Sequence, residues 1–179
     1  GELISVSAFF KNFENPIERA VDPNTNDLAV QVVYRNVDAA WLGGMEFEFR
    51  KKLDFVSQAL SNFSFGLNLA YIDSQVDISP GELSLIRVND PSADDQRVMF
   101  GQSPYIINAL LSYGNPERNI NANVIFNVQG ERLSVVSTGG IPNVYEQPRP
   151  VLDFNLKIGF GPRWSVKFSA TNLLNSAYR

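Results

Sequence analysis

The chain has no cysteine and no histidine among its 179 residues, and these two gaps remove much of the usual enzymatic repertoire. Without cysteine there is no disulfide and no thiolate metal site, which suits an oxidising exterior where a stray thiol is a liability. Without histidine, Ser-His-Asp and Cys-His nucleophile arrangements are excluded, as are histidine-bearing zinc or non-haem iron sites. No stretch reaches the roughly 18 consecutive apolar residues of a membrane-spanning helix, an absence that a membrane barrel would share. A strong excess of either charge is also missing. Fifteen basic and 19 acidic residues give a net charge of -4, and nothing resembles the basic stripe that phosphate contacts need, so no nucleic-acid partner is expected.

What the sequence does contain is alternation. Phe63, Phe65, Leu67, Leu69 and Tyr71 interleave with Asn62, Ser64, Gly66, Asn68 and Ala70. Successive side chains of a strand point to opposite faces, so this is a ribbon with one apolar and one polar face. From Ile120 to Val128 the even positions are apolar, and the odd ones from Asn119 to Gln129 include Asn121, Asn123 and Asn127. A face with so many carboxamides reads as the wall of a wet space. Leu152, Phe154, Leu156, Ile158 and Phe160 repeat the pattern, as do Trp164, Val166, Phe168 and Ala170 after a turn at Gly161 and Pro162.

A soluble sandwich and a transmembrane barrel both alternate in this way. Two details favour the barrel. Aromatic residues mark the strand ends: Phe160, Trp164, Tyr113 and Phe63 beside short turns, and Tyr71, Tyr105 and Phe10 near the opposite ends. Such rings gather at membrane interfaces. Connections also alternate short and long, as in outer-membrane barrels. Gly114 to Arg118 and Gly161 to Arg163 are short, whereas Asn12 to Asp27, Ser74 to Arg97 and Gly130 to Arg149 are long and polar. Lys51 to Ser61 reads as a longer inner turn. The register predicts that Phe65, Leu67, Val124, Phe154 and Phe168 face lipid while Asn68, Asn123, Asn155 and Lys167 face the lumen. Phe160 and Trp164 should stack at the inner interface. Lys157 should lie opposite Lys167, with Asp153 or a neighbouring carboxylate relieving the pair.

The expected fold is all-β: an antiparallel up-and-down transmembrane β-barrel portion of about seven strands. They are placed at Glu2 to Lys11, Leu28 to Lys52, Asn62 to Ser74, Val98 to Gly114, Asn119 to Val136, Pro150 to Phe160 and Arg163 to Leu173. In the second, Val30, Val32 and Tyr34 are even but Met45, Phe47 and Phe49 are odd, which predicts a bulge near Gly43 and Gly44. An odd count cannot close an ordinary single-chain barrel. The segment is therefore expected to be part of a larger one.

Acidic pairs at Glu46 with Glu48 and at Asp94 with Asp95 could in principle serve glycoside hydrolysis. Glu46 and Glu48 share a strand face about 7 Å apart, and a lumen carboxylate balanced by Arg50 is the simpler reading. Asp22, Asn24, Asn26 and Asp27 imitate the start of a calcium loop, but Val33 stands where the closing glutamate belongs, so a polar turn is expected. Neither catalysis, a cofactor nor a metal is expected.

The segment Phe168-Ser-Ala-Thr-Asn-Leu-Leu-Asn-Ser-Ala-Tyr178 resembles the penultimate strand and following asparagine-leucine motif of TonB-dependent outer-membrane receptors. Gly44-Met-Glu-Phe-Glu-Phe-Arg50 is similar to a descending strand of that family, and Ile4-Ser-Val-Ser-Ala-Phe-Phe-Lys11 with Asn15-Pro-Ile17 to an ascending strand that enters an outer loop. Val144-Tyr-Glu-Gln-Pro-Arg149 is similar to receptors of the Bacteroidota branch. The resemblance implies a barrel of about 22 strands with a plugged lumen in the bacterial outer membrane, long loops outside. It implies import of a scarce solute such as an iron chelate, cobalamin, glycan or peptide. Residues 1–179 would be the C-terminal barrel segment, without plug domain or closing strand. Implied partners are the lipid bilayer, the remaining strands and plug, the TonB complex through the plug, and a surface lipoprotein. Loop residues Arg87, Arg97, Arg132, Tyr145 and Arg149 are the ligand-binding candidates. A passive porin or barrel adhesin, and a soluble all-β binding module, stay open at this point.

Overall fold

A computed structural model describes residues 2–22, 31–138 and 141–179. In chain order the elements are β1 (Leu3–Glu14), β2 (Ile17–Asp22), β3 (Gln31–Asn36), β4 (Ala39–Lys52), β5 (Phe63–Asp77), helix α1 (Pro80–Asn89), β6 (Gln96–Arg97), β7 (Tyr105–Asn115), β8 (Ile120–Gln129), β9 (Arg132–Ser137), β10 (Val144–Glu146), β11 (Val151–Phe160) and β12 (Trp164–Ala170). Strands β1, β4, β5, β7, β8, β11 and β12 lie side by side in that order, with β6 added to the end of β5. Every pairing along this wall is antiparallel, the up-and-down order expected.

Register turns the alternation of each strand into two continuous faces, because residues directly opposite in an antiparallel pair share a side. Ile4, Phe49, Leu67, Ala109, Phe126 and Leu152 form one cross-sheet row. Phe65, Leu111, Val124, Phe154 and Ala170 form another. Phe168 joins the same face opposite Leu156. On the other face Glu48, Asn68, Asn108 and Asn127 align, as do Ser64, Ser112, Asn123, Asn155 and Ser169. Every residue assigned to lipid or lumen therefore falls in the row expected of it.

Among the described residues nothing covers the apolar face. Val6 is 64% exposed, Phe168 55% and Trp164 77%, values a sandwich core would not tolerate, since that core needs a second sheet about 10 Å away. A second sheet exists, in the order β10, β9, β2, β3, but it is built from the long connections at one end. The only buried apolar cluster among the described residues, Ala20, Leu133 and Val136 with Val33 and Phe100 against it, belongs to that end. The soluble-module alternative fails on this point. Aromatics bound the apolar band: Tyr71 opposite Tyr105, with Phe10 stacked on Trp41 at 5.9 Å, on one side, and Phe63 against Tyr113 at 4.9 Å on the other. Phe63 to Tyr71 is about nine residues, enough for a tilted strand to cross a bilayer.

Several local expectations need correction. No bulge occurs at Gly43 and Gly44, where β4 pairs with β1 and β5 without a register shift. The phase change sits instead between β3 and β4, opposite Asn15, whose φ is 50°. There Asn15 N donates to Asp38 O and Val37 N to Pro16 O, so the two-stranded ribbon bends without separating. Gly44 answers a different need: a side chain there would run into Tyr71 O and meet Phe9 Cζ at 2.6 Å. The single strand expected from Asn119 to Val136 is β8 and β9, split at Gly130 into different sheets. The long connection after Ser74 contains α1, begun by Ser79 accepting from Glu82 N, with Pro80 at the first turn. Asp153 accepts from Asn172 N at 2.8 Å rather than relieving Lys157 and Lys167, which do lie opposite each other. Phe160 and Trp164 share the turn, but the ring contact at the inner end is Phe63 with Tyr113. Asn24, Asn26 and Asp27, and the side chain of Asp22, lie outside the described residues.

Candidate functional site

The long connections form one cap at one end of the wall. Hairpin β2–β3 prolongs the β1–β4 ribbon and presents Glu18 and Arg35 as a cross-strand pair. Arg35 Nη2 reaches Glu18 Oε1 and Glu82 Oε2, both at 2.8 Å, tying the hairpin to α1. Arg97 of β6 donates from Nη2 to both oxygens of Glu18 at 2.6 and 2.5 Å. With side chains 4% and 7% exposed, Glu18 and Arg97 form a buried pair, whose charges would be untenable apart. β2 also runs parallel to β9, Ala20 opposite Val136, and Thr138 Oγ1 donates to Val21 O. Connections far apart in sequence are thereby joined.

Register says where the cap sits. Ala40, Val76 and Arg97 lie opposite one another on the polar side of the wall. Since Arg97 and Glu18 are in contact, the hairpin folds over the lumenal edge of the wall rather than over its apolar face.

Beneath the cap, the polar face holds a cavity of about 200 Å³ lined by Asn108, Asn127, Gln129, Glu146, Arg149 and Tyr178, among others. The wall supplies the three carboxamides, two of them opposite each other. The segment after β12 supplies Tyr178. Asn172, at φ 53°, turns the chain there. Its side chain donates to Ser176 O and accepts from Ser176 N, while Ser176 Oγ donates to Pro150 O. Ser176 O in turn accepts from Arg149 Nε at 3.1 Å. The asparagine of the asparagine-leucine motif thus clamps the returning chain against the start of β11.

The five candidate residues separate on this geometry. Arg149 lines the cavity, its guanidinium 4.2 Å from the centre of the Tyr178 ring. Arg132 stands beside it, donating from Nε and Nη2 to Glu146 Oε2 at 2.9 and 2.6 Å. Tyr145 is on β10 opposite Leu133, its side chain exposed. Arg97 is in the buried pair with Glu18, and Arg87 donates from Nε and Nη2 to Ala93 O in the helix-bearing loop. Sequence reasoning missed Asn108 and Tyr178 as cavity residues. Asn108 sits within Ile106-Ile-Asn-Ala-Leu-Leu111, where alternation is broken and only the neighbouring strands disclose the side.

On the wall, Glu48 pairs with Arg50 at 2.9 Å and Glu46 accepts from Ser7 Oγ at 3.4 Å, an ordinary solvated arrangement. Among the described residues no group of three or more acidic side chains could hold a metal ion. Comparison with curated proteins gives no significant match, and comparison with solved structures gives none. The family model described as TonB dependent receptor-like, beta-barrel matches residues 1–173, and with every strand of the wall inside that match the chain belongs to this family.

Proposed function

We propose that this chain is the C-terminal part of the wall and vestibule of a TonB-dependent receptor that imports a scarce solute across the outer membrane. An outer-membrane receptor or transporter role follows from the family. The observation that supports the finer reading is the placement of the cap: the outer loops lean over the polar face and are held there by the Glu18, Arg35, Glu82 and Arg97 network. Solute arriving from outside meets a fixed vestibule above the cavity of Arg149. In this reading Arg132, Tyr145 and Arg149 border the route, Arg87 lies in a loop at its rim, and Arg97 holds the rim in shape. Energy comes from the inner-membrane TonB complex acting through a plug inside the barrel, and a surface lipoprotein would sit on the cap.

The test is uptake by cells that carry the complete receptor, with and without a working TonB complex. Saturable uptake that stops when the complex is inactivated is the expected result. Undiminished, non-saturable flux in its absence, reproduced by the purified receptor in liposomes, would replace this reading with a passive porin.

A further inference from the structure

The cavity beneath the cap holds an unbalanced positive charge. Glu146 is the one acidic side chain in its lining, and both of its close contacts come from Arg132, so that pair is neutral. Arg149 is different. Among the described residues it donates one hydrogen bond, to the neutral carbonyl of Ser176, stacks on Tyr178, and meets no carboxylate. A guanidinium carries five N–H donors. The arrangement is also preorganised: the stack on the ring and the Asn172–Ser176 clamp hold the head group in place before any ligand arrives. Around it Asn108, Asn127 and Gln129 offer further N–H donors, and carboxamides can satisfy an anion without adding charge of their own. Arg149 and the three carboxamides are half-buried, although Tyr178 is exposed, and partial burial screens a charge less than open water does. In a chain of net charge -4, a fixed cation in a concave site where three carboxamides stand among apolar Ile106, Val128 and Val151 selects for negative charge.

We infer that this cavity is a carboxylate-binding subsite on the lumenal wall, with Arg149 as the charge-pairing group and Asn108, Asn127 and Gln129 as supporting donors. This rests on the receptor reading above and gives it a ligand chemistry. A planar carboxylate matches the guanidinium fork in two parallel hydrogen bonds, a geometry a lysine would not reproduce. The carboxylate has two sources: a solute carrying one, or an Asp or Glu of the plug seated against the wall.

The experiment uses the complete receptor in detergent, with citrate as the probe and ribitol and sodium chloride of matched ionic strength as controls. Thermal melting is followed for the natural protein, Arg149→Gln, Arg149→Glu and, as a control at an inner turn, Arg118→Gln. If solute supplies the carboxylate, citrate but not ribitol raises Tm. Apparent citrate affinity then falls about tenfold or more in Arg149→Gln, the loss expected for a charge-assisted hydrogen bond, and is kept in Arg118→Gln. If the plug supplies it, citrate has no effect and Arg149→Glu melts well below Arg149→Gln without any ligand, because like charges are forced together. The subsite is overturned if Arg149→Gln keeps the full citrate response. It is equally overturned if citrate is inert and the two variants melt alike. TonB-dependent uptake that survives either result leaves the receptor reading standing without the subsite. Citrate binding without TonB-dependent uptake does the reverse.

Discussion

At Gly44 a single missing methyl group decides how two strands pack. The Phe9 ring crosses the glycine directly opposite it and the Tyr71 carbonyl closes the space from the other side. Gly44→Ala is therefore expected to destabilise the barrel by about 1–3 kcal/mol, read as a lower urea midpoint for folding of the complete receptor into liposomes. The same assay separates the two faces. Leu67→Arg and Val124→Arg place charge in the apolar rows and should cost about 2–4 kcal/mol near the bilayer midplane, with Asn123→Arg on the polar row far milder. Equal penalties would mean that the apolar face does not meet lipid. In the cap, Glu18→Gln leaves Arg97 buried beside a neutral amide. Breaking such a pair costs about 3–5 kcal/mol. The loss should fall on the cap alone, as faster hydrogen exchange in residues 80–97 with the wall unchanged. Uniformly faster exchange would show that cap and wall unfold together.

Among the elements, the strands of the wall were legible because one period governs each: a residue that alternates against both neighbours has nowhere else to go. The cap was not legible, for two physical reasons. Its strands are short, and the pairing that joins its two hairpins, β2 beside β9, links partners distant in sequence and leaves no local trace. Its shift in phase comes from a bend at Asn15 and Val37 to Asp38, whereas paired glycines nearby offered a more familiar explanation. Helix α1 did carry a local signal in Ser79-Pro-Gly-Glu82, a capping residue with proline in the first turn, within a stretch whose polarity reads as loop. Ser79→Ala should cost about 1 kcal/mol of helix stability, visible as raised protease sensitivity between α1 and β6. Of the candidate residues, Arg149 lines the cavity and Arg132 pairs with the Glu146 of its lining. Arg97 is buried in an ion pair, because an arginine in a polar loop is equally suited to bind or to brace.

For the whole molecule, the balance of surfaces is what matters. The wall ends at β1 on one side and β12 on the other, and each edge presents unpaired backbone groups that a bilayer makes expensive. If further strands of the same barrel cover those edges, residues 1–179 expressed alone should aggregate or require detergent. A monomeric species that melts cooperatively in plain buffer, followed by sedimentation and calorimetry, would contradict this.

The pairing of β2 with β9 has a consequence outside transport. In the receptor orientation proposed above, the cell's surroundings meet the cap first, and the cap is stitched from segments as far apart as Val21 and Thr138, 117 residues along the chain. Whatever recognises that surface, whether an antibody or the tail fibre of a phage, reads a composite shape that no single peptide reproduces. Sera raised against the folded receptor should bind intact cells and lose most of their signal on a denaturing blot, and escape variants should map to several loops at once.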